Sequence, residues 1–168
     1  MALLGIVLLP PTLYIWGGVL FIPLVFLGLI DLKTYRLPDY LTLPLILAGV
    51  VPSYLELAGF PPILHSLAGA VSGYLFIFLV ATAYRRLRGR EGIGMGDAKL
   101  LAAGGAWVGI LFLPFILLLA SVAGLLVVFV TFRGSARLQT AIPFGPFLAA
   151  GIWLTWISAV SSLLVLAG

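Results

Sequence analysis

Residues 97–132 read DAKLLAAGGAWVGILFLPFILLLASVAGLLVVFVTF. No polar residue occurs from Ala106 to Ala120, so hydropathy alone marks no boundary in this stretch. A single helix from Asp97 to Phe132 would far exceed the ~20 residues that cross a bilayer. Two spans joined by a tight hairpin fit the length, and Gly109 and Pro114 mark where the chain can turn. Whether the whole chain has an even or an odd number of spans rests on this break.

The rest of the composition calls for spans. Of 168 residues, 63% are hydrophobic and 8% charged, where a soluble domain carries about a quarter charged residues. A water-soluble surface would have to be built from Leu and Val. The composition excludes soluble globular, disordered and fibrous classes and leaves an all-α, polytopic integral membrane protein. Cysteine is absent and His65 is the single histidine. That excludes disulfides, a thiolate zinc site, a Cys nucleophile and a pair of histidine ligands. No cofactor and no metal is expected. The net charge of +4 fits cytoplasmic loops better than nucleic-acid binding. Met1 to Leu9 has no basic region and no evident cleavage site, and reads as retained.

Six apolar segments follow, at about Thr12–Ile30, Tyr40–Leu57, Pro62–Tyr84, Asp97–Gly109, Leu111–Phe132 and Pro146–Ala167. They form one membrane-embedded domain over residues 1–168. All nine basic residues, Lys33, Arg36, Arg85, Arg86, Arg88, Arg90, Lys99, Arg133 and Arg137, fall on one side of a six-span arrangement. The positive-inside rule makes that side cytoplasmic and puts both termini on the extracytoplasmic side of the plasma or inner membrane. Asp31, Asp39, Glu91 and Asp97 share the basic side, whereas Glu56 and His65 lie near the other. Gly69-Ala-Val-Ser-Gly73 and Gly105-Ala-Trp-Val-Gly109 are small-x-x-x-small patterns that let helix backbones approach closely, within one chain or between two.

Two acids stand out. Asp97 follows Gly92-Ile-Gly-Met-Gly96, whose glycines release the chain from helical geometry just before a helix. As an N-cap, Asp97 would meet free N–H groups and a favourable dipole. Asp31 ends the first segment, where unpaired carbonyls and the negative dipole end give a carboxylate nothing. No stability argument places an acid there, apart from pairing with Lys33 or Arg36. Held close, two such acids would share one proton, because like charges a few ångströms apart do not both ionise easily. One carboxylate could then take a proton from an attacking water while the protonated partner donates to a peptide carbonyl.

The residues around them read more simply. Pro38 and Asp39 are placed to end a loop and cap the second helix. Lys99 does not face Asp97, since positions i and i+2 of a helix diverge. It is free to snorkel to the interface or to reach another acid or a substrate carbonyl. In Ile142-Pro143-Phe144-Gly145-Pro146-Phe147, two prolines and a glycine set an irregular entry to the last helix. That entry either simply closes a hairpin or walls an active-site cleft.

Three motifs in order carry a resemblance. Asp31-Leu-Lys-Thr-Tyr-Arg-Leu-Pro38-Asp39-Tyr-Leu-Thr-Leu-Pro44, Gly94-Met-Gly96-Asp97-Ala-Lys99-Leu-Leu101 and Ile142-Pro143-Phe-Gly145-Pro146-Phe-Leu-Ala149 resemble the successive signature segments of the type IV prepilin peptidases. These are membrane aspartic proteases of the GxGD class. The resemblance implies Asp31 and Asp97 as the catalytic pair. Gly94, Gly96, Lys99, Pro38, Asp39, Pro143, Gly145 and Pro146 would form their neighbourhood. It implies cleavage of a short basic leader from type IV prepilins or related pseudopilins at the cytoplasmic face. The substrate would carry a hydrophobic helix in the lipid. Many relatives have Asn at the Asp39 position, which speaks against direct catalysis by Asp39.

Larger members of the family have an additional cytoplasmic region near the N-terminus, often with cysteine pairs, and also N-methylate the product using S-adenosylmethionine. The chain resembles the short, core-only form, for which peptide cleavage is the expectation and methyl transfer is not. The competing class is a small ion- or proton-coupled transporter using intramembrane aspartates. The gathering of acids at one face argues against a path through the full membrane depth.

Overall fold

The computed structural model describes residues 11–89, 94–131 and 143–167. Among these the chain forms six α-helices and one 3₁₀ turn: α1 Pro11–Thr34, α2 Asp39–Tyr54, α3 Ile63–Arg88, α4 Met95–Val108, the turn Ile110–Phe112, α5 Leu113–Thr131 and α6 Gly145–Ala167. The six apolar segments of the sequence each become a helix. The N-terminal residues Met1 to Leu9, Arg90 to Ile93 with Glu91 and Gly92, and Arg133, Arg137 and Ile142 lie outside the described residues.

The ambiguous stretch breaks where the sequence allows it. Helix α4 ends at Val108. Gly109 takes a left-handed φ of 84°, and the short 3₁₀ turn leads into α5 with Pro114 in its first turn. Proline is tolerated there because the first-turn N–H groups have no partner within the helix.

Three stretches, Thr12–Thr34, Ile63–Arg88 and Ile110–Val130, are long and apolar enough to cross a membrane. Helices α2 and α4, with 16 and 14 residues, are shorter than the expected span of ~20 residues. The short α4 is the centre of the bundle. From Leu100 to Val108 every residue is buried, and the helix packs on α3, α2 and α6. The long helices carry the outer surface, with Ile22, Phe26, Leu64, Leu79, Leu125 and Phe129 all exposed. Such continuous apolar surface suits lipid and not water.

Lipid supplies little hydrophobic drive for one helix to meet another, so close backbone approach and hydrogen bonds have to hold the bundle. Both small-residue patterns serve this purpose within the chain. Gly69 of α3 lies directly on Gly105 of α4, and a β-carbon on either would collide with the other's backbone carbonyl. One turn along, a β-carbon on Gly73 would lie 2.8 Å from the Leu101 carbonyl oxygen. The buried Ser66 hydroxyl donates to the Ala106 carbonyl at 2.7 Å. Trp107 ties α4 to α2 through its Nε1–H, which donates to the Leu45 carbonyl at 2.9 Å. Its ring packs edge-on against Trp16 and Trp156.

The helices alternate in direction. The ends of α1 and α3 and the starts of α2, α4 and α6 therefore gather at one end of the bundle. Asp31, Asp39, Asp97 and Lys99 are all there. Glu56, at the end of α2, and His65, against Gly109, lie at the other.

Candidate active site

Asp31 sits in the last turn of α1, which runs one turn past the expected end at Ile30. The residue is 5% exposed. The main-chain N–H of Gly145, the first residue of α6, donates to Asp31 Oδ2 at 2.9 Å. The expectation that helix geometry offers Asp31 nothing is therefore corrected. The end of its own helix is unfavourable, but the N-terminus of a distant helix supplies a donor. Free first-turn N–H groups make that end of a helix a ready partner for a carboxylate.

One glycine makes the approach possible: a β-carbon on Gly145 would lie 2.6 Å from Asp31 Oδ2, whereas one on Gly28, one turn before Asp31, would make only ordinary contact with the Pro146 Cα at 3.6 Å. Pro143 and Phe144 precede α6 in non-helical conformation, and the Phe144 carbonyl accepts the N–H groups of Phe147 and Leu148 at 3.1 Å. The late Pro-Phe-Gly-Pro segment thus starts a helix against Asp31, which the sequence could not single out from a plain hairpin loop.

Asp97 comes from α4. Its expected role as N-cap is corrected: the helix starts two residues earlier, at Met95, with Gly94 at the cap position and no side-chain cap bond. Asp97 is the third helical residue, and its N–H donates to the Gly94 carbonyl at 3.2 Å. The cap position needs an extended backbone, which Gly94 supplies at φ −71° and ψ 135°. Asp97 is partly buried, and its carboxyl group interacts electrostatically with that of Asp31. The structure therefore puts the two candidate acids at the same end of the bundle, within electrostatic reach of each other.

The second glycine of the motif has a different task. Gly96 faces Leu37, in the connection between α1 and α2, and a β-carbon at Gly96 would lie 2.7 Å from Leu37 Cβ. Leu37 is buried and packs its side chain onto the start of α4. Sequence reading did not pick out Leu37. The signal was the bare Gly96 face, whose partner a single sequence does not name.

Asp39 and Pro38 also exchange expected parts. Pro38 is the cap residue of α2, with an extended backbone and its carbonyl accepting the N–H groups of Leu41 and Thr42 at 3.2 Å. Asp39 is the first helical residue and makes no cap bond. Its Oδ1 instead accepts from Lys99 Nζ in a salt bridge. Of the alternatives for Lys99, it reaches another acid. Among the described residues no group of three or more His, Cys, Asp or Glu is arranged to hold a metal ion.

A buried carboxyl is costly unless it has a partner or a use, and two interacting carboxyls beside a helix N-terminus form the kind of pair that can pass a proton in both directions. The model of the type IV leader peptidase family matches residues 18–129. The chain belongs to this family. The matched range includes Asp31 and Asp97 and ends before Gly145.

Curated relatives agree. The chain is 50% identical over 124 residues to a prepilin leader peptidase/N-methyltransferase of Burkholderia pseudomallei, covering 73% of this chain and 39% of that protein. It is 42% identical over 133 residues to one from Aeromonas salmonicida, covering 78% and 45%. With one from Pectobacterium carotovorum it shares 41% over 145 residues, covering 84% and 50%. The chain therefore spans half or less of the length of these relatives. No solved structure matches it significantly.

Proposed function

We propose that the chain is a membrane aspartic endopeptidase that removes the short basic leader from type IV prepilins or related pilin-like precursors. The observation that carries the reading is that Asp31 and Asp97, from different helices, lie at the same charged end of the bundle, within electrostatic reach of one another and with Asp31 held by the Gly145 N–H. Membership of the leader peptidase family supplies the substrate class.

In this reading the two carboxyls hold one proton between them. The ionised carboxylate takes a proton from a water molecule as its oxygen attacks the scissile carbonyl, and the protonated partner donates to the carbonyl oxygen. Collapse of the tetrahedral intermediate breaks the C–N bond, and a proton passes to the leaving amine. The Gly145 N–H fixes Asp31 through the cycle. Gly94 and Gly96 shape the backbone that presents Asp97. Pro38, Pro143 and Pro146 set the entry angles of α2 and α6 around the pair.

The positive-inside reading puts this end at the cytoplasmic face of the inner or plasma membrane, with six spans and both termini outside. Residues 1–168 act as one membrane-embedded unit. The partners are lipid and a substrate whose hydrophobic helix lies in the same membrane, with no nucleic acid. The transporter alternative finds no support in the family or in acids collected at one end.

The test is incubation of the detergent-purified protein with several prepilins, followed by mass spectrometry. Loss of a leader-sized peptide at one bond is expected. Intact substrates throughout, from a protein that is folded and monodisperse, would overturn the reading.

A further inference from the structure

The connection between α1 and α2 grips α4 on both sides of Asp97. It leaves α1 through Tyr35, whose backbone is left-handed at φ 53°, a conformation that persists in a bulky residue only where the surroundings over-determine it. The Tyr35 N–H donates to the Asp31 carbonyl at 2.9 Å, and the Thr34 hydroxyl donates to the Ile30 carbonyl at 2.9 Å. The turn is thus fixed to the same helical end that carries the Asp31 side chain. Two residues on, Leu37 presses onto Gly96. Two more residues on, Asp39 pairs with Lys99. Gly96 and Lys99 flank Asp97 in the sequence, so the short segment from the last turn of α1, with Asp31, to the first residue of α2, Asp39, is pinned to α4 just before and just after Asp97.

We propose that the Lys99–Asp39 ion pair is a brace that registers Asp31 against Asp97, and that Lys99 and Asp39 are positioning residues of the dyad. The inference rests on the peptidase reading. Two observations favour this role over a purely stabilising one. The pair is partly exposed, with side-chain exposures of 26% for Lys99 and 57% for Asp39, and exposed ion pairs add little to stability. Lys99 also diverges from Asp97 on the helix, so it acts on the site through the connection it holds.

The test is kinetic, on a prepilin that the wild-type protein cleaves, with thermal unfolding in detergent measured beside it. Asp39→Asn keeps an oxygen that can accept from Lys99 and should retain kcat within about threefold. Asp39→Leu and Lys99→Met should each lower kcat by about tenfold, with KM within about twofold, because a small misplacement of reacting groups is costly. The double variant should be no worse than either, since both remove one interaction. The charge-reversed pair, Asp39→Lys with Lys99→Asp, should recover kcat to within about threefold of wild type.

The brace is overturned if Lys99→Met is inactive while Asp39→Leu is fully active, or if KM rises with kcat unchanged, which would put Lys99 on the substrate. It is also overturned if the losses of the two single variants multiply in the double. If the reversed pair does not fold, that non-additivity decides. Failure of the wild type to cleave any prepilin would instead contradict the peptidase reading itself.

Discussion

The first peptide N–H of α6, at Gly145, donates to Asp31 Oδ2 in the last turn of α1, 114 residues earlier. One bond therefore joins the two ends of the bundle's chain path at the acid proposed to do chemistry. It also explains why the residue is glycine: a β-carbon would lie 2.6 Å from the carboxylate oxygen it holds. Gly145→Ala should move Asp31 and lower kcat by about 10- to 100-fold, in line with the cost of a ~1 Å misplacement. Insertion in the membrane should be unchanged. Steady-state cleavage together with a membrane-fraction assay checks both parts.

The Gly96–Leu37 contact makes a second prediction, with a built-in rescue. Gly96→Ala adds a β-carbon 2.7 Å from Leu37 Cβ, and the connection that follows the Asp31 turn of α1 has to give way. Activity should fall by roughly tenfold. Because the clash is with the main side-chain stem, Leu37→Gly should restore more of it than Leu37→Ala. Measuring the two double variants beside Gly96→Ala tests that order. An unchanged Gly96→Ala would show that the close contact has no bearing on the site.

A third prediction concerns the bundle and not the chemistry. Gly69 and Gly105 meet backbone to backbone, about two turns along α4 from Asp97. Gly105→Ala should destabilise the protein by about 1–3 kcal/mol through overpacking. Ser66→Ala, which removes a buried bond to Ala106, should cost about 0.5–1.5 kcal/mol. Thermal unfolding in detergent reads both, and the fraction of protein that remains folded should cleave substrate at the wild-type rate.

Much of this architecture was legible in the sequence because membrane segments are marked by composition alone. Each apolar segment became a helix, and Gly109 broke the one stretch whose hydropathy gave no boundary. The two acids stood out because nothing in local stability asks for an acid at Asp31. What could not be read were relations between distant segments. Gly96 against Leu37, Gly145 against Asp31 and Lys99 with Asp39 each join positions brought together by packing, and a single sequence carries no periodicity for that. Helix caps were misplaced for a local reason. Asp is a good cap, but Gly94 and Pro38 meet the extended backbone requirement first, which leaves Asp97 and Asp39 inside their helices with side chains free for other partners.

The central claim, that Asp31 and Asp97 act together in peptide cleavage, is tested most directly by the initial rate of leader removal from one prepilin by wild type, Asp31→Asn and Asp97→Asn, each verified to be inserted and folded. Each replacement keeps shape but removes a group that can exchange a proton, so each should lower the rate by at least about 100-fold. The double variant should be no slower than the singles. Cleavage by either single variant at a rate near wild type would contradict the account.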